Sequence, residues 1–504
     1  MPTTSPPKPK PGDHQPPPPP AAVSWSKYLV IDATSELRQQ RGIAVPLMAM
    51  NLTWFIKQAI TTAFLGRLGE LQLAGGALGF TFANVTGYSI LTGLCGAMEP
   101  ICGQAYGAKN YRLLHRTLLM ATLLLLLATL PISILWLNIG KILPLFGQQR
   151  DMVAMAEKYL LYLLPDLMVN AFLCPLKAYL SAQGITIPIM LSSTLAVAFH
   201  VPINILLIQA KGFEGVAIAV WVSDLLVMLL LAIYVLHLEL RGREKWQESG
   251  WWDHGIKEWR ALLGLCGPCC LTTCLEWWCY EILVLLTGRL PNAKEAVGVL
   301  VIVLNFDYLL FSVMLSLSVC ASTRVSNELG ANQPKAAYKS AYVSLVTAAF
   351  SGCVGAAVMV SARSWWGPLF SHSEGVIKGV KKMMVIMAMI EVANFPLTVS
   401  GGIVRGTARP WLGTYASLGG FYLLALPLGG VLGFKAKLGL GGLFLGFLAG
   451  ASTCLVLLLV FIARIDWVAE AGKAQVRASA GEEFLSDESE VKTSGKSPCP
   501  ELTA

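Results

Sequence analysis

Long apolar blocks alternate with short polar connections from residue 43 to residue 463. Each block is long enough to cross a bilayer as a helix, which takes about 20 residues. A polar stretch rich in charge and Trp separates six blocks from six more. The blocks lie near 43–66, 72–100, 116–139, 158–181, 187–210 and 213–238, and then near 260–288, 296–322, 340–362, 377–404, 410–434 and 439–463. This pattern predicts an all-α integral membrane protein with twelve transmembrane helices.

The polar segments divide the chain into five parts. We predict a disordered proline-rich tail over 1–40, a first lobe over 41–238, an inter-lobe loop over 239–259, a second lobe over 260–465 and a disordered tail over 466–504. Lys and Arg are more numerous in the segments on the side of the termini than in the opposite loops. The positive-inside rule therefore places both tails and the inter-lobe loop in the cytoplasm.

Composition narrows the class of protein. Charged residues make up 13% of the chain and apolar types 55%, whereas soluble domains carry about 25% charged residues. A chain with so little charge cannot cover a water-facing surface, which excludes a soluble enzyme and a disordered protein. The formal net charge of +8 comes without a dense basic run, so we expect no nucleic-acid partner.

The two sets of six blocks contain an internal repeat. Gly66–Leu68 at the end of the first block matches Gly288–Leu290 at the end of the seventh, and Gly107–Asn110 echoes Gly330–Gln333 at nearly the same separation. An even number of spans in each half makes the halves parallel, related by a pseudo-two-fold axis along the membrane normal. Parallel repeats are a transporter architecture with the site between the lobes. The alternative is a duplicated bundle that does not transport.

Three motifs carry a family resemblance. They are Glu99–Lys109, Cys274–Glu281 and Arg324–Ala331. Together they resemble the multidrug and toxic compound extrusion family in its plant DETOXIFICATION branch, over roughly residues 35–470. The resemblance implies two pseudo-symmetric six-helix lobes, a V-shaped central cavity, and exchange of an organic solute for a proton or a sodium ion.

Acidic residues inside the predicted spans are the candidates for ion coupling. A charge at mid-bilayer costs at least a few kcal/mol, so it faces a cavity or a partner. A carboxyl group in such a cavity can gain or lose a proton near neutral pH. Ionised, it attracts a cationic solute; protonated, it releases that solute, which suffices to couple proton entry to solute exit.

The second half supplies these acids. Glu276 and Glu281 lie in the predicted seventh span, Asp307 in the eighth and Glu391 in the tenth. The resemblance implies coupling acids at Glu276, Glu281 and Glu391, and we expect Glu276 and Glu391 to carry proton and substrate coupling. Each has the alternative of a structural acid bonded to neighbouring hydroxyls. Asn305 stands where animal relatives tend to have a glutamate, and Asp307 lies on another helix face, so that role is not transferred.

The first half departs from the bacterial pattern. Bacterial relatives use an aspartate in the first span, where this chain offers only Asn51, Lys57 and Gln58. Proton coupling in the first lobe is therefore not expected, and we interpret Asp166 and Asp224 as structural acids.

Aromatic and amide side chains near the predicted mid-depth are candidates for the wall of a substrate cavity. Aromatic rings there can stack on flat solutes or hold cations, and packing against helices or lipid is the alternative for each. The candidates are Trp54, Gln58, Trp278, Tyr280, Asn305, Asp307 and Asn394.

Other signals point away from catalysis and cofactors. Five cysteines cluster in the predicted seventh span, where they fit packing better than a zinc site because no His is near. With no nucleotide motif, we expect transport driven by a proton gradient in preference to sodium, with no cofactor, metal site or catalytic residue. The sequence predicts a secondary-active multidrug or toxin efflux transporter that works by alternating access. The alternative is a non-transporting membrane sensor or signalling scaffold on the same fold.

The expected partners are a small organic solute and the lipid bilayer. We expect a multi-pass monomer in the plasma membrane in preference to the vacuolar membrane.

Overall fold

The computed structural model describes residues 33–146, 149–241 and 256–479. Helices make up almost all of these ranges, joined by short turns. In chain order they are α1 (Ala33–Leu68), α2 (Glu70–Ala83), α3 (Ser89–Cys95), α4 (Met98–Gly107), α5 (Tyr111–Leu137), α6 (Ile139–Ile142), α7 (Arg150–Ala182), α8 (Ile187–Lys211), α9 (Phe213–Arg241), α10 (Ile256–Thr287), α11 (Ala293–Gly330), α12 (Pro334–Ala362), α13 (Glu374–Gly406), α14 (Pro410–Ser417), α15 (Leu426–Gly430), α16 (Gly439–Ala463) and α17 (Trp467–Ser479).

Eleven helical runs in the described ranges are long and apolar enough to cross a membrane. The predicted second span falls on a twelfth run, α2 to α4, which is divided by a wide π-helical turn at Asn84–Tyr88 and a break at Gly96 and Ala97. On α5 the side chains of Leu127 and Ile134 are 62% and 64% exposed. Such apolar exposure suits a lipid-facing surface, and the chain is a multi-pass membrane protein.

The helical run Pro410–Lys435, which contains α14 and α15, shows why some helices here are irregular. It includes π-helical turns at Leu418–Ala425 and Val431–Lys435. Pro427 has no N–H to donate and its ring crowds the carbonyl of the preceding turn. A widened turn just before it accommodates this loss.

Two separate hydrophobic cores define two lobes. One core draws on α1 to α9 and includes Leu114 and Leu160, and the other draws mainly on α10 to α16 and includes Val303 and Phe444. Each core falls largely within the residue range of one predicted lobe. A small third cluster that includes Met120 from the first lobe and residues from α10 joins them.

Backbone contacts between the lobes follow the internal repeat. A Cβ atom on Gly107 would collide with the carbonyl oxygen of Asn327, and one on Gly330 would collide with the carbonyl oxygen of Gln104. In the repeat Gly107 corresponds to Gly330 and Gln104 corresponds to Asn327. The two contacts are therefore symmetry-equivalent, as a pseudo-two-fold axis between the lobes requires.

A second pair of contacts lies about three turns deeper and obeys the same symmetry. The amide of Asn51 donates to Ser316 Oγ at 2.8 Å, and a Cβ on Gly93 would lie 3.3 Å from Thr273 Cβ. Asn51 corresponds to Thr273 and Gly93 to Ser316 in the repeat. The same sites meet across the axis, but one pair forms a hydrogen bond and the other forms a packing contact.

Ion pairs close one end of the inter-lobe space. We call it the closed end; it is formed by the α4–α5 turn, the α11–α12 turn and the first turns of α1 and α10. Arg324 holds Glu36 through two hydrogen bonds, of 3.0 and 2.9 Å, and Arg405 Nε lies 3.1 Å from Glu99 Oε2. In each pair the glutamate belongs to the first lobe and the arginine to the second, so the two pairs bind the lobes together at this end.

The prediction of disorder from residue 466 is wrong over 467–479, which form α17. Its buried face repeats every three or four residues through Trp467, Glu470, Ala471, Ala474 and Ala478. Because this face is made largely of alanine, the mean hydropathy of the segment is that of a polar stretch, although the helix is amphipathic.

Helix α17 lies against the closed end and contacts both lobes. Arg477 Nε donates to Gln104 Oε1 at 2.9 Å, and Gln475 donates to the carbonyl of Gly330. The predicted first tail is also shorter than expected because α1 begins at Ala33. The other tail residues and 242–255 of the predicted inter-lobe loop lie outside the described residues.

Candidate functional site

A cavity of about 310 Å³ lies between the lobes; we call it the inter-lobe cavity. The first lobe supplies most of its wall, from α1, α2 to α4, α7 and α9. The second lobe contributes four residues, Trp277 from α10 and Leu315, Val319 and Thr323 from α11. Its volume is in the range of small-molecule sites, about 300–1,000 Å³.

An ion pair stands in the first-lobe wall of this cavity. Lys57 Nζ lies 2.6 Å from Asp224 Oδ1, with side chains that are 6% and 16% exposed. Behind it, His200 contacts Thr61 Oγ1 at 3.0 Å and Ser223 Oγ at 2.7 Å. Because Thr61 lies one turn from Lys57 and Ser223 adjoins Asp224, this buried imidazole fixes the two helices on which the ion pair depends.

One face of α7 lines the same cavity. Asp166, Asn170, Cys174 and Lys177 follow one another at intervals of three or four residues, so their side chains point the same way. Asp166 Oδ2 accepts hydrogen bonds from Tyr88 Oη at 2.5 Å and from Asn170 Nδ2 at 3.0 Å. The wall thus carries both acidic and basic side chains. Lys57 and Asp224 pair with each other, and Asp166 accepts hydrogen bonds from its neighbours.

Sequence reasoning missed the charged part of this wall, although it predicted Trp54 and Gln58. It interpreted Asp166 and Asp224 as structural acids and did not weigh Lys177, whereas all three line the inter-lobe cavity. Two signals were available: opposite charges inside two apolar spans, at Lys57 and Asp224, and polar residues at helical spacing along the fourth span.

Four of the predicted site residues come together inside the second lobe. Asp307 and Glu391 are 3% and 0% exposed, and their carboxyl groups are neighbours that influence each other electrostatically. Asn394 Nδ2 donates to Tyr280 Oη at 3.3 Å beside them. We call these four residues the acid cluster.

The acid cluster has an unusual hydrogen-bond inventory. Within the described ranges, Asp307 Oδ1 and both oxygens of Glu391 receive no hydrogen bond from a donor group. An ionised carboxylate is an acceptor only, so two carboxyl groups can bond to each other only when a proton lies between them. The pair is therefore a candidate site for one proton in the second lobe.

Glu276 and Glu281 stand apart from the acid cluster. Ser417 Oγ donates to Glu276 Oε1 at 3.4 Å, and the next residue on α10, Trp277, lines the inter-lobe cavity. Glu281 makes no hydrogen bond or ion pair with another residue of the described part of the chain. Glu276 is thus the predicted acid that lies nearest, along its helix, to the cavity wall.

The predicted cavity residues divide into three groups. Trp54 and Gln58 line the inter-lobe cavity, whereas Tyr280, Asp307 and Asn394 belong to the acid cluster.

The remaining two have other partners. Trp278 Nε1 donates to the carbonyl of Val85 at 3.1 Å, between the lobes. Asn305 Nδ2 donates to the carbonyl of Val301 in its own helix at 3.0 Å.

Cysteine and metal chemistry find little support in the geometry. Cys266 donates to the carbonyl of Leu94 at 3.5 Å, and Cys270 lies 3.9 Å from Cys274, sulfur to sulfur. Across residues 33–146, 149–241 and 256–479, no group of three or more His, Cys, Asp or Glu side chains is placed to hold a metal ion.

Comparison with known proteins gives consistent matches. The MatE family model matches residues 46–206 and 268–431. Protein DETOXIFICATION 56 of Arabidopsis thaliana is 61% identical over 452 residues, covering 90% of this chain and 92% of the relative. Protein DETOXIFICATION 51 of the same plant is 39% identical over 457 residues, covering 90% and 85%.

A solved structure agrees with these matches. The crystal structure of the eukaryotic MATE transporter AtDTX14 has a TM-score of 0.82 at 32% identity, covering 88% of this chain and 99% of that one. The two ranges of the family model fall one in each lobe, so the matched pattern is duplicated as the lobes are.

Proposed function

The chain belongs to the MatE family of multidrug and toxin efflux transporters, and from that membership we propose that it exchanges a small organic solute for protons by alternating access. Efflux transport follows from the family and from the matching transporter structure. The proposal concerns the driving ion, the residues that couple it to the solute, and the membrane.

The buried pair of Asp307 and Glu391 carries the proposal. With one proton between them the two groups bond, and without it two carboxylates confined at 3% and 0% exposure repel each other. Loss of the proton therefore pushes α11 away from α13. We favour the proton over sodium because a proton shared between the two carboxyl groups removes their repulsion directly.

Helix α11 connects the proton to the solute. Asp307 lies about two turns from Leu315 and three turns from Val319, both of which line the inter-lobe cavity. A displacement of α11 at the acid cluster therefore reshapes the cavity wall. Glu276 supplies a second connection because it is adjacent to Trp277 in that wall.

The closed end determines which side the cavity faces. We place both termini, and hence the closed end, in the cytoplasm, so this conformation faces the other side of the membrane. To face the cytoplasm, the lobes must break the contacts of Glu36 with Arg324 and of Glu99 with Arg405. Each buried charge then has to be hydrated or to find a new partner, which makes the exchange a switch between two states.

We further propose a monomer of the plasma membrane with no catalytic activity and no cofactor beyond the proton gradient. The solute class fits a cavity of about 310 Å³ with aromatic and amide side chains in its wall.

The test is flux in proteoliposomes that contain the full chain under an imposed pH gradient. We expect solute-dependent proton movement, tested with organic cations, phenolics and organic anions. Glu391→Gln should reduce it to the level of empty liposomes because a neutral amide cannot release a proton, and Glu276→Gln should also abolish it. Glu374→Gln is the matched control, since its side chain is 84% exposed and, among the described residues, pairs only with Lys378 one turn away.

Two results would contradict the proposal. Full proton-coupled flux in Glu391→Gln would remove the acid cluster from the mechanism. Absence of solute-dependent proton movement with every solute class would favour the membrane sensor or scaffold over the proton-coupled exporter.

A further inference from the structure

A second cavity, of about 390 Å³, lies at the closed end. We call it the closed-end cavity. Its wall comes from α4 and α5 of the first lobe, from the start of α10, from Ala408 after α13, and from α17. It shares no wall residue with the inter-lobe cavity, so it is a separate site.

Most of this wall is apolar, with residues such as Ile101, Met120 and Leu265, but three charged side chains interrupt it. Glu258 and Arg260 occupy the first two turns of α10, and Arg477 comes from α17. Helix ends of this kind lie where lipid headgroups meet the hydrocarbon layer. The cavity therefore combines an apolar interior with a charged rim at the headgroup level.

Two of the charged groups each have one atom bound and one atom without a partner. Glu258 Oε1 accepts from Arg116 Nη1 at 2.8 Å, whereas Glu258 Oε2 is buried and bonds to no other described residue. Arg477 Nε donates to Gln104, whereas its buried Nη2 has no acceptor among the described residues. A buried charged group left unsatisfied is costly, so both atoms are positioned for a ligand.

The charges define the chemistry of that ligand. Burial lowers the pKa of the Arg477 guanidinium, and a bound anion would offset that penalty. Arg260 is exposed and makes no ion pair with the part of the chain that the structure describes. Two guanidinium groups suit a phosphate, while the free carboxylate oxygen of Glu258 needs an N–H donor close to that phosphate.

We propose that the closed-end cavity binds a phospholipid with a primary-amine headgroup, such as phosphatidylethanolamine. The phosphate lies on Arg260 and Arg477, the ammonium donates to Glu258 Oε2, and the glyceride and upper acyl chain cover the apolar wall. Basic pockets between transmembrane helices on the cytoplasmic side are known places for lipid headgroups. Here the unpaired acid beside the arginines selects a headgroup that also carries an amine.

Such a lipid would stabilise the sealed state of the closed end. The cavity wall includes Gln104 from the first lobe and Ala408 from the second, and α17 contacts both lobes. When the lobes part at this end, these walls cannot stay together. A ligand that binds only the sealed arrangement shifts the population toward it.

Native mass spectrometry of the purified full chain tests the proposal by lipid retention. Phosphatidylethanolamine should be retained about tenfold more strongly than phosphatidylcholine, whose quaternary ammonium has no N–H, and mono- and dimethylated headgroups should fall between them. Glu258→Gln should remove this order of preference. Arg477→Gln should weaken retention of every phospholipid about tenfold, and Arg477→Lys by less.

The control variant is Arg150→Gln, an exposed arginine that lines neither cavity. Equal retention of phosphatidylethanolamine and phosphatidylcholine by the unchanged chain would overturn the proposal, as would unchanged retention in Arg477→Gln. Soluble phosphoethanolamine that competes as well as the lipid would overturn the lipid assignment in favour of a soluble ligand. Thermal unfolding in lipid-free detergent shows whether each variant is folded.

Discussion

The lobes approach each other closely at Gly330. One added methyl group there should therefore shift the equilibrium between the state that is sealed at the closed end and the state that is open at that end. A Cβ atom there would lie 2.7 Å from Gln104 Cα and 2.8 Å from its carbonyl carbon. Ordinary contacts are 3.4–4 Å, so α11 and α4 must separate by roughly 1 Å. Overpacking of this kind costs about 1–3 kcal/mol. The cost is present only while the closed end is sealed.

Gly330→Ala is therefore expected to favour the state that is open at this end about 5- to 150-fold. Hydrogen–deuterium exchange by mass spectrometry measures the change as faster exchange in the last turns of α4 and α11. Gly107→Ala should act in the same direction because it is the symmetric contact. Gly42→Ala is the control, since nothing lies within 4 Å of its Cβ position, and it shares the helix-propensity gain of an alanine.

Unchanged exchange in both Gly330→Ala and Gly107→Ala would refute the reasoning, because the lobes would then have absorbed the methyl group without separating. Faster exchange throughout the chain together with a lower Tm would also refute it, since that pattern reports loss of fold in place of opening at one end.

The remaining predictions concern two ion pairs. Lys57→Met leaves Asp224 buried and unpaired and should lower stability by about 3–5 kcal/mol, and Lys57→Met combined with Asp224→Leu should recover most of it. Thermal unfolding in detergent checks both, and an undiminished Tm in Lys57→Met would contradict the pairing. Glu36→Gln should weaken the contact to Arg324 and speed exchange at the closed end, as Gly330→Ala does. Exchange as slow as in the unchanged chain would show that this ion pair does not hold the lobes together.

The apolar pattern predicted the helices well because bilayer thickness fixes the length of a span. It predicted α5 and α16 within a few residues. The repeat also paired Gly107 with Gly330, and the structure shows equivalent close contacts at these two positions. It missed α17, since a small amphipathic face built on alanine differs little in hydropathy from a polar tail. The apolar pattern also did not predict the break at Gly96, because a glycine inside an apolar block does not by itself indicate a helix break.

Charged residues in the spans were harder to interpret than the spans themselves. Hydropathy indicates that Asp224 lies in a membrane helix, but only tertiary packing shows that Lys57, more than 160 residues earlier in the chain, neutralises it at 2.6 Å. In the same way Asp307 was assigned to another face from Asn305, and that face is the one that meets Glu391. Pairing across helices depends on rotation and depth, which the order of residues along one chain does not determine.

The symmetry of the backbone and the asymmetry of the charges together locate the coupling. The lobes meet through equivalent glycine contacts, Gly107 with Asn327 and Gly330 with Gln104. Their interiors differ: the first lobe holds the neutral ion pair of Lys57 and Asp224, which no proton is needed to complete. The second lobe holds the buried carboxyl groups of Asp307 and Glu391, and two carboxyl groups bond to each other only when a proton lies between them. In the exchange that we propose, the duplicated frame supplies the symmetric contacts between the lobes, while protonation acts on the second lobe alone.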